Sequence, residues 1–165
     1  MEIPDRPVSF VPAKAGDVLT LGTMTLRVME DGSNTDMRLS SVELIVPPNT
    51  RGPPPHWHEM HDETFLITKG TIRFHIPPAG PDGKRKPAEI IDAQAGDYVV
   101  VPTRSPHTFS NPTDAEARFF NTFTPAFYIN YFKLLAELSD EARPLTKEAN
   151  QRAMAYYATL PVPEM

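Results

Sequence analysis

Between Asp17 and Pro125, apolar and polar residues alternate over short runs rich in Val, Ile, Leu, Thr and Phe, which is the period of half-buried strands. The pattern predicts strands over Val18–Leu21, Met24–Met29, Met37–Val46, Thr64–Thr68, Thr71–Ile76, Ala88–Ile91, Asp97–Val101, His107–Ser110 and Glu116–Thr124. Breakers separate them: Asp31-Gly32-Ser33-Asn34, Lys69-Gly70, the Pro/Gly-rich stretch from Pro77 to Gly83, and Asn111-Pro112-Thr113-Asp114. Lys69-Gly70 is short enough to close a tight hairpin. This cadence of short strands favours an all-β sandwich or barrel. After Pro125 the period changes. Tyr128, Tyr131, Phe132 and Leu135 recur at helical spacing, with Leu138 continuing the stripe. A second helix is predicted to start near Thr146, with Ala149, Ala153, Tyr156, Tyr157 and Leu160 on one face and Pro161 as its stop. One-sided apolar helices of this kind pack against the outside of a β domain.

Composition narrows the chemistry. The 165 residues amount to one ordinary domain, so a single domain over 1–165 is expected. Folding at this length buries roughly 70% of the unfolded chain's surface, enough to stand without disulfides or a structural metal. The absence of cysteine rules out disulfide frameworks, thiolate metal sites and thiol nucleophiles, and makes a cytoplasmic location the expectation. A net charge of −5 argues against a nucleic-acid partner. The residues Met1 to Pro7 have neither a basic nor an apolar region, so no signal peptide is expected. The longest aliphatic stretch, Tyr98 to Val101, is far short of a membrane span. Nineteen prolines fit many short elements divided by turns. Lys84-Arg85-Lys86, the only basic run, reads as a solvated loop tip.

Three of the five histidines fall between His56 and His61. On a strand, His56 and His58 project from one face and two imidazoles can converge on one ion. Glu63 lies an odd number of residues beyond His58, so a turn through Glu59-Met60-His61-Asp62 must restore its parity before the strand Thr64–Thr68 begins. His107, far along the chain, is a candidate fourth ligand. Imidazole and carboxylate donors suit divalent Fe, Ni, Mn, Cu, Co or Zn, and four of them on a six-coordinate ion leave two positions open for water, substrate or dioxygen.

The run His56-x-His58-x4-Glu63-x6-Gly70, followed by Gly96-x5-Pro102-x4-His107-x3-Asn111, resembles the two signatures of the cupin superfamily. The chain is most similar to its small, quercetin-dioxygenase-like members. That resemblance implies a cupin double-stranded β-helix, a jelly-roll barrel over about 17–125, with a C-terminal helical extension over 126–165 packed on the outside. It also implies His56, His58, Glu63 and His107 as ligands of one divalent transition metal ion, and a homodimer. Arg104 stands where the second signature has glycine. Either the loop takes another conformation, or Arg104 accepts one that glycine takes more easily. It reads as an exposed loop residue or, more sharply, as a cation at the site mouth that pairs with a substrate carboxylate or phenolate. His61 falls in the turn and is a ligand only if it replaces Glu63. His75 faces away from its apolar neighbours, and Trp57 points away from the ligands.

The same period of two carries Phe109 and Asn111 inward with His107, and Phe65 and Ile67 inward with Glu63. On the last strand Phe119, Asn121 and Phe123 form the inward set. The expected substrate-binding residues are therefore Phe65, Phe109, Asn111, Phe119, Phe123 and Arg104. An apolar, aromatic lining suits a small aromatic, phenolic or polyketide-like molecule. The expectation is a metal-dependent oxygenase in which Glu63 acts as ligand or base. The alternatives are a non-redox isomerase, cyclase or decarboxylase, or a ligand-binding cupin without catalysis.

Overall fold

A computed structural model describes residues 1–80, 86–138 and 144–163. Among the described residues there are twelve strands: β1 (Val18–Leu21), β2 (Met24–Glu30), β3 (Ser40–Val46), β4 (Thr50–Arg51), β5 (His56–His58), β6 (Asp62–Lys69), β7 (Thr71–Ile76), β8 (Glu89–Gln94), β9 (Tyr98–Val101), β10 (Thr108–Asn111), β11 (Ala117–Thr124) and β12 (Thr159–Pro161). One sheet runs β1-β2-β3-β11-β6-β9 and the other β4-β10-β7-β8, antiparallel throughout, with β5 and β12 forming a separate ribbon. This is the jelly-roll barrel the resemblance implies, one of the all-β forms the alternation favours, followed by two helices, α1 (Ile129–Leu138) and α2 (Lys147–Tyr156). No helix among the described residues is long and apolar enough to cross a membrane.

The inward faces of the two sheets make one core. Phe65, Phe74, Phe109 and Phe119 meet edge to face with centroids 5.0–6.2 Å apart, and burying such a ring contributes roughly 1.5–3 kcal/mol. Gly70 closes the predicted hairpin between β6 and β7 at φ +68, where an added Cβ would press on the Glu116 carbonyl at 2.8 Å.

Several boundaries differ from the sequence reading. Met37 to Leu39 belong to the preceding turn, because Asp36 and Met37 take φ of +53 and +59 and Thr35 Oγ1 accepts from the Leu39 N–H at 3.1 Å. Strand β8 starts one residue late and runs on to Gln94, held through its polar stretch by Arg73 Nε donating to Asp92 Oδ1 at 2.6 Å. The second helix ends before Tyr157. Ala158 turns the chain at φ +51, so Leu160 lies in β12 rather than on a helix face. Tyr156 is exposed, and Ala153 and Met154 are the buried residues of α2. Of the basic run, Lys84 and Arg85 lie outside the described residues, while Lys86 pairs its backbone with Ala79.

Candidate metal centre

Strand β5 is led into place by Gly52, whose missing Cβ lets the chain pass against the Phe109 carbonyl. It is then held on both sides. His56 exchanges backbone hydrogen bonds with His107 at 3.0 and 2.9 Å, and β12 pairs with β5 in the register Thr159↔His58. The parity is as expected: His56 and His58 are buried, while Trp57 is half-buried and its Nε1 donates to Glu59 at 2.8 Å. The turn after β5 returns Glu63, buried, at the head of β6. Arg104 takes φ +63, the conformation glycine takes more easily; its N–H donates to the His58 carbonyl at 2.7 Å and its guanidinium to Glu59 at 2.8 Å.

Each of the three imidazoles has its Nδ1 occupied. His56 Nδ1 donates to the Pro54 carbonyl at 2.7 Å and His107 Nδ1 to the Ser105 carbonyl at 3.0 Å. His58 Nδ1 lies 2.9 Å from Thr159 Oγ1, which also lies 3.3 Å from the Tyr157 carbonyl and accepts from the ring in the tautomer that leaves Nε2 free. With Nδ1 donating, a neutral ring presents its lone pair at Nε2, and a ring donates to Glu63 through Nε2 only when it carries a second proton. Glu63 Oε2 nevertheless sits 3.1 Å from His58 Nε2 and 3.2 Å from His107 Nε2. Acceptors crowd on one point, and only positive charge there makes the arrangement attractive. A single proton bridges one such contact at a time; a divalent ion satisfies all of them together. The donor set therefore fits a metal. The ligand atoms of His56, His58 and His107 all lie within 4.8 Å of one another.

The electrostatics follow. Burial, then the neighbouring His107 and His58, pushes His56 down to about 3. Burial opposes protonation of His107 as well, but the hydrogen bond and charge of Glu63 raise it above its ordinary value. Burial would raise the Glu63 carboxyl, yet hydrogen bonds from His107 and His58 hold it well below the usual carboxylate range. Its other oxygen accepts from Asn121 Nδ2 at 3.0 Å.

Four participants lie outside the predicted site. Asn121, expected only as an inward position, fixes the Glu63 carboxylate. Thr159 fixes His58. Tyr128, buried in the 3-10 turn just before α1, covers His58 with ring centroids 4.7 Å apart. His61 is not a solvated turn residue but is buried among them. The crowding of histidines hinted at His61 and the lone amide among aromatics at Asn121; nothing in the sequence marked Thr159. Among the predicted lining, Phe65 and Phe123 stand edge-on to histidine rings, with centroids 6.3 Å from His107 and 5.5 Å from His61 respectively. Phe109 and Phe119 lie one ring further off, against Phe65. Asn111 spends its amide on the turns beside it, donating to the Val46, Pro47 and Ala115 carbonyls and accepting from Thr113. His75 meets Ser110 at 3.2 Å. A groove of about 540 Å³ beside β5, walled by Pro54, Pro55, Pro77, Pro78 and Pro161, is lined by none of the donors.

The cupin domain family matches residues 42–123. No curated protein matches the chain. Among solved structures, the chain is similar to KdgF from Halomonas sp. (TM-score 0.57, 18% identity, covering 71% of this chain and 94% of that one). It is also similar to the polyketide cyclase RemF from Streptomyces resistomycificus (TM-score 0.51, 21% identity, 75% and 79%). A third likeness is to oxalate decarboxylase from Bacillus subtilis (TM-score 0.54, 21% identity), covering 67% of this chain but 28% of that enzyme. At these identities the likenesses speak to the fold.

Proposed function

This chain is a small protein of the cupin superfamily, and from that premise we propose that it is a metal-dependent enzyme, a dioxygenase of quercetinase-like type acting on a small aromatic, phenolic or polyketide-like substrate. The observation that carries the reading is the buried cluster of His56, His58 and His107, whose ligand atoms lie within 4.8 Å of one another, with Glu63 Oε2 3.1 and 3.2 Å from the Nε2 atoms of His58 and His107. His56, His58, Glu63 and His107 would hold one divalent transition ion, which supplies Lewis acidity and, in the oxygenase reading, a place for dioxygen. Glu63 is kept ionised by its neighbours and steered by Asn121, so it can accept the proton of an enolisable or phenolic substrate at Oε2. Phe65, Phe123 and Tyr128 keep water from that transfer.

The substrate class rests on what surrounds the donors. Among the described residues no Lys or Arg is buried. Arg73 is taken up by Asp92 and Arg118 by Glu116. A free dicarboxylate or sugar phosphate would lack a partner here, whereas an aromatic ring would find Phe65, Phe123 and the Tyr128 face. A non-redox reading, cyclisation without oxygen uptake, is favoured by the likeness to a solved polyketide cyclase over most of both chains. The deciding experiment is elemental analysis of the purified protein, followed by oxygen uptake and product analysis with flavonols and other enolisable phenols. Oxygen consumed with product formed supports the dioxygenase, product without oxygen the cyclase, and a protein that binds no divalent metal ends both. The same reading includes a homodimer in the cytoplasm. Phe127, Leu138 and Tyr156 leave exposed apolar surface on the C-terminal extension, and light scattering well above micromolar concentration tests the association.

A further inference from the structure

We propose that His61 is a fifth donor of this centre, giving one ion a second ligand face, His58–His61–Glu63, that shares His58 with the His56–His58–His107 face. The inference rests on the metal-dependent reading above and goes beyond its four ligands.

His61 sits in the turn between β5 and β6, where an imidazole would ordinarily reach water. Its neighbour Met60 is 64% exposed, yet His61 is only 5% exposed. The ring is clamped between His58, at 4.1 Å and 32°, and Tyr128, at 4.6 Å and 38°, with the Phe123 edge at 5.5 Å. Among the described residues, His61 Nε2 is the buried side-chain polar atom left with no hydrogen-bond partner. Such an atom calls for an explanation, because burial strips its water and the protein gives nothing back. The explanation lies close by: donor atoms of His58, His61 and Glu63 all lie within 4.8 Å of one another, the same limit that holds the three-histidine face. Ligands on opposite sides of an ion at about 2.1 Å are about 4.2 Å apart, so small side-chain movements bring the second face into coordination.

Both faces contain His58, and a neutral imidazole offers one lone pair, so it serves one ion only. The two faces are therefore alternatives or a joint set around one ion, not two independent sites.

Titration of the full-length, metal-free protein with Co²⁺ alone tests this, with affinity, stoichiometry and the visible Co²⁺ absorption as readouts. His61→Phe keeps the ring between His58 and Tyr128 and removes the nitrogens; His61→Asn is the second variant should the larger ring fail to fold. The wild type should bind one Co²⁺. His58→Ala, which breaks both faces, should lose it. His107→Ala should keep one ion with weakened affinity, and adding His61→Phe to His107→Ala should weaken it further. His61→Phe alone should change the absorption spectrum. Unchanged affinity and spectrum in both His61 variants, with the double variant no weaker than His107→Ala, would overturn the inference and leave the four-ligand site intact. A wild type that binds no Co²⁺ would overturn the metal reading as well.

Discussion

The barrel wall and the C-terminal cap orient their imidazoles by the same kind of bond, reached along the chain in opposite ways. On the wall, His56 and His107 each donate Nδ1–H to the carbonyl two residues before them, Pro54 and Ser105. The pin is local, and the backbone path that carries the histidine also carries its acceptor. At the cap, His58 is held by Thr159, 101 residues later, and covered by Tyr128 from the turn just before α1. That pin exists only once the chain has passed through both helices and returned as β12 beside β5. The difference teaches that the barrel can form its donors unaided, while the lone pair of the shared histidine, His58, is aimed by the last strand of the fold.

The largest effect is expected on the wall. Glu63→Gln keeps the shape of the carboxylate but cannot accept a proton, while the three histidines can still hold an ion. Metal content should persist and turnover should fall by roughly 10²–10⁴-fold. Metal and rate measured on the same sample check it. Full metal with an unchanged rate would make Glu63 neither base nor an essential ligand, and the wall would lose its chemical role.

Acid should act on wall and cap together. His56 and His61 are held neutral by burial, at about 3 against an ordinary 6.5. Their folded-state values are depressed, so the unfolded chain takes up protons first, and stability is lost as pH falls from about 6.5 toward 3. At roughly 1.4 kcal/mol per unit, each residue accounts for several kcal/mol across that window. Glu63 adds to the loss below the ordinary carboxylate range, since its ionised form is the one the fold holds. His107 runs the other way: its raised value favours the fold below 6.5 and that contribution fades as pH rises through it. Denaturant unfolding of the metal-free protein between pH 7 and 4 should show a steep acid decline. A flat profile would mean these rings are hydrated.

The same contrast explains what the sequence made readable. The strands β1 and β7 fall where the alternation places them, and His56, His58 and His107 come together, with Glu63 against the last two, because parity and one turn suffice to aim them. The inward set Phe119, Asn121 and Phe123 follows from the same period of two. What alternation could not carry was pairing between distant short segments. Strand β12 has three residues, follows a helix without a recognisable breaker, and exists only by hydrogen bonding to β5. Thr159 was therefore invisible, and so was the way His61 turns inward, which depends on Tyr128 arriving from beyond Pro125 to cover it.

Removing the distant pin should cost less than removing the base. Thr159→Val keeps the branched shape and deletes the acceptor for His58 Nδ1–H, freeing that ring to turn or change tautomer. Metal affinity should fall by about 10–100-fold, the usual size for an outer partner of a ligand histidine. The change in fold stability should be modest, since valine suits a buried strand position. Chelator competition on wild type and variant checks it. An unchanged affinity would show that β5 alone aims His58 and would collapse the distinction between cap and wall.

The smallest effect is expected at Arg104, where the two meanings of that residue separate cleanly. Its backbone supports the wall, donating N–H to the His58 carbonyl at 2.7 Å from a left-handed conformation, φ +63. Arg104→Gly preserves that N–H and relieves the backbone by roughly 1 kcal/mol. It also deletes a guanidinium that is 77% exposed and paired with Glu59, an ion pair of the solvent-screened kind that contributes little. The two changes oppose each other, so the melting temperature should move by only a few degrees, upward if the backbone relief exceeds the lost pair. Kinetics decide whether the side chain does more. If Arg104 only fills a loop, kcat and KM both stay at their wild-type values. If it pairs with a carboxylate or phenolate of the substrate, KM rises while kcat holds, because a contact made equally in the bound and transition states is lost. Binding to Glu59 in the free protein favours the first outcome, and a raised KM for charged substrates alone would assign Arg104 to the mouth of the site.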